Sequence, residues 1–100
     1  MTLERTETQW MLHVLEGECW MASASELRGL LQDGLSSASE LVVDLETVTE
    51  MDVAVLQLLW TAEREAGRRN CKFSSRVPEA LAQLAREAGF ERFPGAPAQG

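Results

Sequence analysis

The sequence predicts an α/β fold in which short apolar strands alternate with amphipathic helices in the order (β)βαβαβα. Two observations carry this prediction. Three short predicted strands, the first two of them apolar, stand far apart along the chain, and a helical pattern of apolar residues follows each of them. Helical crossovers between short strands favour a small mixed, mostly parallel sheet with helices packed on it. The chain has 100 residues, which is room for a single domain.

The first half of the chain contains two predicted buried strands and one helix. Residues 10–15 form a short apolar run typical of a strand, and residues 3–6 are predicted to pair with it as an antiparallel edge. Ser23 and Glu26 have the spacing of a capping box, which predicts that a helix begins there, and Gly34 predicts its end. Residues 41–45 are rich in β-branched side chains and form the next strand.

The second half contains the longest predicted helix, residues 53–66, with Asp52 as its N-cap and Gly67 as its end. Its apolar stripe predicts a core-facing side, formed by Val55, Leu58, Leu59, Ala62 and Ala66. Residues 71–75 are predicted as a third short strand. The last helix begins near Pro78 and ends at Gly89, with Phe90 as the hydrophobic contact of a glycine cap. Its predicted core stripe is Leu81, Leu84, Ala85 and Ala88.

The domain is predicted to cover residues 1–93. The remaining residues, 94–100, are a Pro/Gly/Ala-rich tail that is expected to be disordered.

The charge distribution excludes several classes of partner. The net charge is −7, which argues against nucleic acid and anionic membranes. Residues 1–52 contain eleven acids and two bases, so the first half of the chain carries most of the negative charge. No apolar run is long enough to cross a bilayer, and the charged beginning of the sequence is unlike a secretory signal. A cytoplasmic location is therefore expected.

Sequence motifs for catalysis are absent, so no catalytic residue, metal site or cofactor is expected. The phosphate-binding glycine motifs GxxxxGK[ST] and GxGxxG do not occur. The single histidine, His13, lies inside a predicted strand. Cys19 and Cys71 are too far apart in sequence for a redox pair and are interpreted as buried apolar residues in a reducing compartment. An acidic cluster follows the second strand and is favoured as a helix cap with solvated glutamates, rather than as a magnesium site. It comprises Asp44, Glu46, Glu50 and Asp52.

The helix after Asp52 carries apolar residues outside its core stripe. Val53, Leu56 and Trp60 lie together on a second side, with Gln57 and Arg64 beside them. A helix with one core face is expected to be polar there. Either a neighbouring element covers this side, or it is an exposed apolar patch of the kind that marks an interaction site.

The segment from Leu41 to Asp52, Leu-Val-Val-Asp-Leu-Glu-Thr-Val-Thr-Glu-Met-Asp, is the most specific motif of the chain. Followed by a helix, a short strand and a Leu-rich helix ending Ala-Gly-Phe, it resembles the STAS domain. That family contains anti-sigma-factor antagonists and the STAS subunit of bacterial lipid-transport ABC systems. The resemblance covers roughly residues 10–93, and it implies a STAS-like fold and a non-enzymatic regulatory role.

The resemblance also implies that the family's phosphorylation switch is absent here. Family members carry a phosphorylatable Ser or Thr directly after the Asp, and Val53 stands at that position. Valine has no oxygen to accept a phosphoryl group, so the site is degenerate. The resemblance therefore predicts a partner-binding surface around the beginning of this helix. The predicted residues are Thr49, Asp52, Val53, Ala54, Leu56, Gln57, Trp60 and Arg64.

The leading hypothesis is an anti-anti-sigma-factor-like interaction module in bacterial signalling. The resemblance implies a protein partner: an anti-sigma factor of the serine-kinase type, a chemotaxis or two-component protein, or a transporter ATPase. The alternatives are an auxiliary subunit of a lipid-transport ABC system and a module that senses a nucleotide or another small ligand. A homodimer formed through the apolar patch is a further alternative.

Overall fold

A computed structural model describes residues 1–96 of the chain. It contains four strands, three α-helices and one short 3₁₀ turn at Met21–Ser23. The strands are β1 (Thr2–Arg5), β2 (Gln9–His13), β3 (Glu40–Asp44) and β4 (Lys72–Arg76). The helices are α1 (Ala24–Ser37), α2 (Val53–Arg68) and α3 (Glu79–Glu87). The predicted element order is confirmed.

The sheet has the strand order β1-β2-β3-β4. β1 pairs antiparallel with β2, and the other two pairs are parallel, so the predicted mixed, mostly parallel sheet is confirmed. Leu12 of β2 lies opposite Val43 of β3, and both belong to a core cluster that also contains buried side chains of all three helices. The helices therefore pack on one face of the sheet.

The ends of α1 and α2 differ from the prediction. Gly34 does not end α1: it is buried within the helix, where a Cβ atom would lie 2.9 Å from Cδ1 of Leu41. This glycine lets the helix approach β3 closely. α2 likewise continues through Gly67, and Asn70, at φ 55°, takes the left-handed position after the helix. The Cys71 amide then donates to the Ala66 carbonyl, as in a Schellman motif.

Of three further predicted caps, at Ser23, Asp52 and Gly89, the last two are confirmed. Ser23 precedes α1, but its side chain makes no cap hydrogen bond, so the predicted capping box does not form. At the end of α3, Gly89 has φ +97° and the Phe90 amide donates to the Ala85 carbonyl at 2.9 Å, which confirms the glycine cap. Asp52 caps α2 as predicted, through a 3.0 Å hydrogen bond from the Ala54 amide to its carboxylate.

The segment after α3 packs against the domain beyond the predicted boundary at residue 93. Pro94 and Gly95 are buried, and the Ser75 amide donates to the Gly95 carbonyl at 3.1 Å. Gly95 has φ +83° and lies against the Phe73 ring, where a Cβ atom would collide. A Pro/Gly-rich composition does not reveal such a packed segment, because it also occurs in disordered tails. Residues 97–100 of the predicted tail lie outside the described residues.

On the other face of the sheet, the His13 imidazole bridges carboxylates from both neighbouring strands. Nδ1 lies 3.1 Å from Oδ2 of Asp44 on β3, and Nε2 lies 3.1 Å from Oε1 of Glu4 on β1. The hydrogen bond with Glu4, reinforced by Asp44, raises the pKa of His13 above its usual value. The histidine thus has a role in strand cohesion.

The stabilisation that His13 provides is expected to decrease as the pH rises. Because its pKa is higher in the folded chain, the bridge stabilises fully below about pH 6.5 and is lost as the pH rises through the folded pKa. Urea unfolding of the wild type and of His13→Gln, compared at about pH 5.5 and about pH 8.5, measures this. The free-energy difference between the two proteins should be larger at the lower pH. A difference that stays constant or grows with pH would contradict the prediction.

Candidate functional site

The loop between β3 and α2 is fixed to the loop after β2. The Asp52 amide donates to the Cys19 carbonyl at 2.9 Å. Both the amide and the hydroxyl of Thr49 donate to Oε2 of Glu16, at 2.7 and 2.8 Å, and these bonds lower the pKa of Glu16. Met51 is buried beneath. The start of α2 is therefore tied to the loop after β2, with Thr49 exposed beside it.

The predicted patch on α2 is only partly exposed. Val53, the first helical residue, is 47% exposed and Trp60 is 41% exposed, but Leu56 is fully buried in the core. Leu56 lies about 60° around the helix from Val53, toward the core side, and the packed domain closes over it. The assignment of Leu56 to an exposed patch is thus corrected.

The remaining exposed residues form one continuous side of the helix. Val53, Gln57, Trp60 and Arg64 recur at spacings of three and four residues, which places them on one face. We call these four residues the α2 face. Ala54, also predicted as part of the site, lies beside it and is half-buried.

Trp60 is held in place by contacts on both sides. Its ring meets Phe90 edge-on, with centroids 6.4 Å apart and an interplanar angle of 81°. The Arg64 guanidinium lies 4.8 Å from the centroid of the Trp60 ring, within range of a cation–π contact. The two interpretations of this side chain are therefore both partly correct: a neighbouring element covers one edge, and the rest faces solvent.

A groove of about 600 Å³ lies between α2 and the segment that follows α3, with Trp60 and Phe90 among its lining residues. Its wall depends on Glu63, whose Oε2 accepts a hydrogen bond from Nη1 of Arg92 at 2.6 Å and another from the Gly95 amide at 2.9 Å. The Glu63 carboxylate raises the pKa of Arg92. This ion pair fastens the terminal segment to α2 and so fixes the position of Phe90.

A second groove, of about 520 Å³, lies between α1 and α2. Its floor is apolar, and Arg28 and Arg69 stand among its lining residues. Gln57 and Thr61 line both grooves, so the exposed side of α2 is a ridge between two depressions. Such relief is suited to contact with another macromolecule.

Sequence reasoning missed three exposed apolar residues outside α2. Leu15, Trp20 and Met21 follow β2 and are exposed, although only Leu15 was considered, as part of the strand. A signal for them was present, because Trp20 and Met21 are large apolar residues immediately before a capping sequence rather than within a periodic pattern.

The titratable groups near the site have structural roles. Burial raises the pKa of the Cys19 thiol to about 11, so the thiol stays protonated at neutral pH. Asp44 accepts the Glu46 amide and meets His13, while Asp52 caps α2. Within residues 1–96, no three His, Cys, Asp or Glu side chains converge as metal ligands. None of the helices in this range is long and apolar enough to span a membrane.

Comparison with known proteins gives one finding that decides the family. The family model described as "Mlab, STAS domain" matches residues 1–95, nearly the whole chain. The chain belongs to this STAS family. STAS domains are in general non-enzymatic regulatory modules that mediate protein–protein interaction. No curated protein matches the chain. As a STAS domain, it presents the loop after β3 and the beginning of α2 as described above.

Proposed function

We propose that this STAS domain is a non-enzymatic interaction module that binds a partner protein through the α2 face and the adjoining loop at Thr49. The support is geometric. Two large apolar side chains, Val53 and Trp60, remain exposed on a helix whose core side is already filled. Exposed apolar patches and partly exposed tryptophans are typical of protein interfaces.

The observation that carries the proposal is Val53 at the first position of α2. A phosphorylated Ser or Thr there would add about −1.5 to −2 charges at a helix start. Val53 instead keeps this surface apolar at all times. The module is therefore not switched by phosphorylation at this position, and its binding surface is permanently available.

Two kinds of partner fit the proposal. As an anti-anti-sigma-like module in bacterial signalling, the domain would bind a serine-kinase-type anti-sigma factor or a chemotaxis or two-component protein in the cytoplasm. As an auxiliary subunit of a lipid-transport ABC system, it would bind the transporter ATPase. The permanently apolar Val53 favours the second role, because a constitutive subunit needs no release switch.

Capture of the partner from the native cytosol tests the proposal. We expect the wild type and Trp60→Phe to retain the same protein, because both keep an aromatic ring against Phe90. Trp60→Glu should lose that protein, since a carboxylate replaces an apolar contact at the interface. Circular dichroism checks that each variant is folded, and mass spectrometry identifies the retained protein.

Identical sets of retained proteins for folded Trp60→Glu and the wild type would refute binding through the α2 face. Retention of an anti-sigma factor or a signalling protein would select the first role. Retention of a transporter ATPase would select the second.

A further inference from the structure

Four of the five large hydrophobic side chains that are exposed within residues 1–96 lie at one end of the sheet. Leu15 (57% exposed), Trp20 (41%) and Met21 (63%) follow β2, and Val53 (47%) follows the loop after β3. β2 and β3 are parallel neighbours, so the loops at their carboxyl ends meet at the same edge of the sheet. We call these four residues the apolar cap.

The apolar cap is held together by the two loop-to-loop contacts already described. The Asp52 amide donates a hydrogen bond to the Cys19 carbonyl. Trp20 directly follows Cys19 and Val53 directly follows Asp52, so this bond brings Trp20 and Val53 near each other. The Glu16–Thr49 contact fastens the same loops a second time. Such a preformed surface loses little conformational entropy when it binds.

The segments that carry the apolar cap are acidic. Residues 14–26 and 45–57, which are the two loops with the beginnings of the helices that follow them, contain six acids and no base, and the next base is Arg28 in α1. Glu18 is paired with the terminal ammonium group, and Glu46 lies 3.9 Å from Arg76. The other four form no salt bridge among the described residues: Glu16, Glu26, Glu50 and Asp52. The apolar cap is therefore an apolar surface bordered by acidic side chains.

We infer that the apolar cap receives a segment of a partner protein whose apolar side chains are flanked by Lys and Arg. This inference rests on the proposed function and adds Leu15, Trp20 and Met21 to the contact surface. Charge complementarity selects the occupant. A second copy of this chain would bring the same acids face to face, and an anionic membrane would repel them.

A pair of synthetic helical peptides tests the inference. One has leucines on one face and lysines on the other, and its counterpart has glutamate in place of every lysine. We expect the lysine peptide to bind the full chain at low ionic strength and the glutamate peptide not to bind. Amide chemical shifts should change most at the apolar cap.

Three variants locate the binding. Met21→Ser should lower the affinity for the lysine peptide by roughly tenfold, because the Met side chain that the peptide would bury is lost. Glu50→Lys should lower the affinity for the lysine peptide by about threefold or more, since a charge at the border of the apolar cap is reversed. Glu7→Lys, the same change in the β1–β2 turn, is the matched control and should have little effect.

Equal binding of the two peptides, no binding of either, or no effect of Met21→Ser would overturn the inference. Binding to phosphatidylcholine vesicles that depends on Met21 would also overturn it, by assigning the apolar cap to a membrane. A dimer that Met21→Ser dissociates would assign the cap to self-association. Failure of the proposed function can be distinguished from failure of this inference. In the first case folded Trp60→Glu still retains the same partner protein as the wild type.

Discussion

Leu56→Ala is expected to lower the free energy of unfolding by about 2–5 kcal/mol, the usual cost of truncating a buried leucine. Leu56 is fully buried within the core cluster, so the substitution removes apolar contacts and leaves a cavity. Domains of this size have total stabilities of about 5–15 kcal/mol, so the loss is a large fraction. Urea unfolding measures it through the transition midpoint.

Val53→Ala is the control for this experiment. Val53 lies three residues earlier on the same helix, yet it is half-exposed, and alanine is the better helix former. We therefore expect a change within about 0.5 kcal/mol. Equal stability of Leu56→Ala and Val53→Ala would contradict the burial of Leu56. It would also contradict the assignment of Leu56 to the core and of Val53 to the binding surface.

Val53→Glu is expected to lower the affinity for the partner protein by at least about a hundredfold while leaving the domain folded. The substitution removes an apolar contact and requires a carboxylate to be desolvated in the interface, which together cost about 3 kcal/mol or more. The domain itself should tolerate the change, because a negative charge in the first turn of a helix interacts favourably with the helix dipole. Calorimetric titration with the captured partner measures the affinity.

Ala80→Glu provides a matched control. Ala80 is exposed in the first turn of α3, and it follows an acidic residue, Glu79, just as Val53 follows Asp52. The two variants therefore add the same charge in the first turn of a helix. Equal affinities for the two variants would show that net charge, rather than the α2 face, controls binding.

The fold was predictable because its signals are local and mutually consistent. The two central strands, β2 and β3, contain short apolar runs, and the apolar stripe of α2 points to the core at Val55, Leu59, Ala62 and Ala66. The cap at Asp52 and the glycine cap at Gly89 depend only on neighbouring backbone, so the sequence pattern was sufficient.

Features that depend on distant contacts were not predictable in the same way. Gly34 has the appearance of a helix end, but it is needed because Leu41 of β3 packs against it. Leu56 has the helical spacing of the patch residues, and only the packed domain shows that it is enclosed. Gly95 is ordered because Glu63 and Ser75, both far away in sequence, bind its backbone.

The candidate site was predictable only in part. Apolar residues outside the core stripe of α2 were evident from the sequence, but whether a neighbouring element covers Val53 and Trp60 was left open, and the structure shows both exposed. The position of Trp20 and Met21 beside Val53 was not predictable, because it depends on contacts between two loops that are far apart in sequence, the Asp52–Cys19 backbone hydrogen bond and the Thr49–Glu16 bonds.

A comparison of amide spectra of the isotopically labelled chain with and without the captured partner tests directly whether the partner binds the α2 face. We expect the largest chemical-shift changes on the loop at Thr49 and on the α2 face from Val53 to Arg64. Changes confined to the other face of the sheet around His13 and Asp44, with α2 unaffected, would contradict binding through the α2 face.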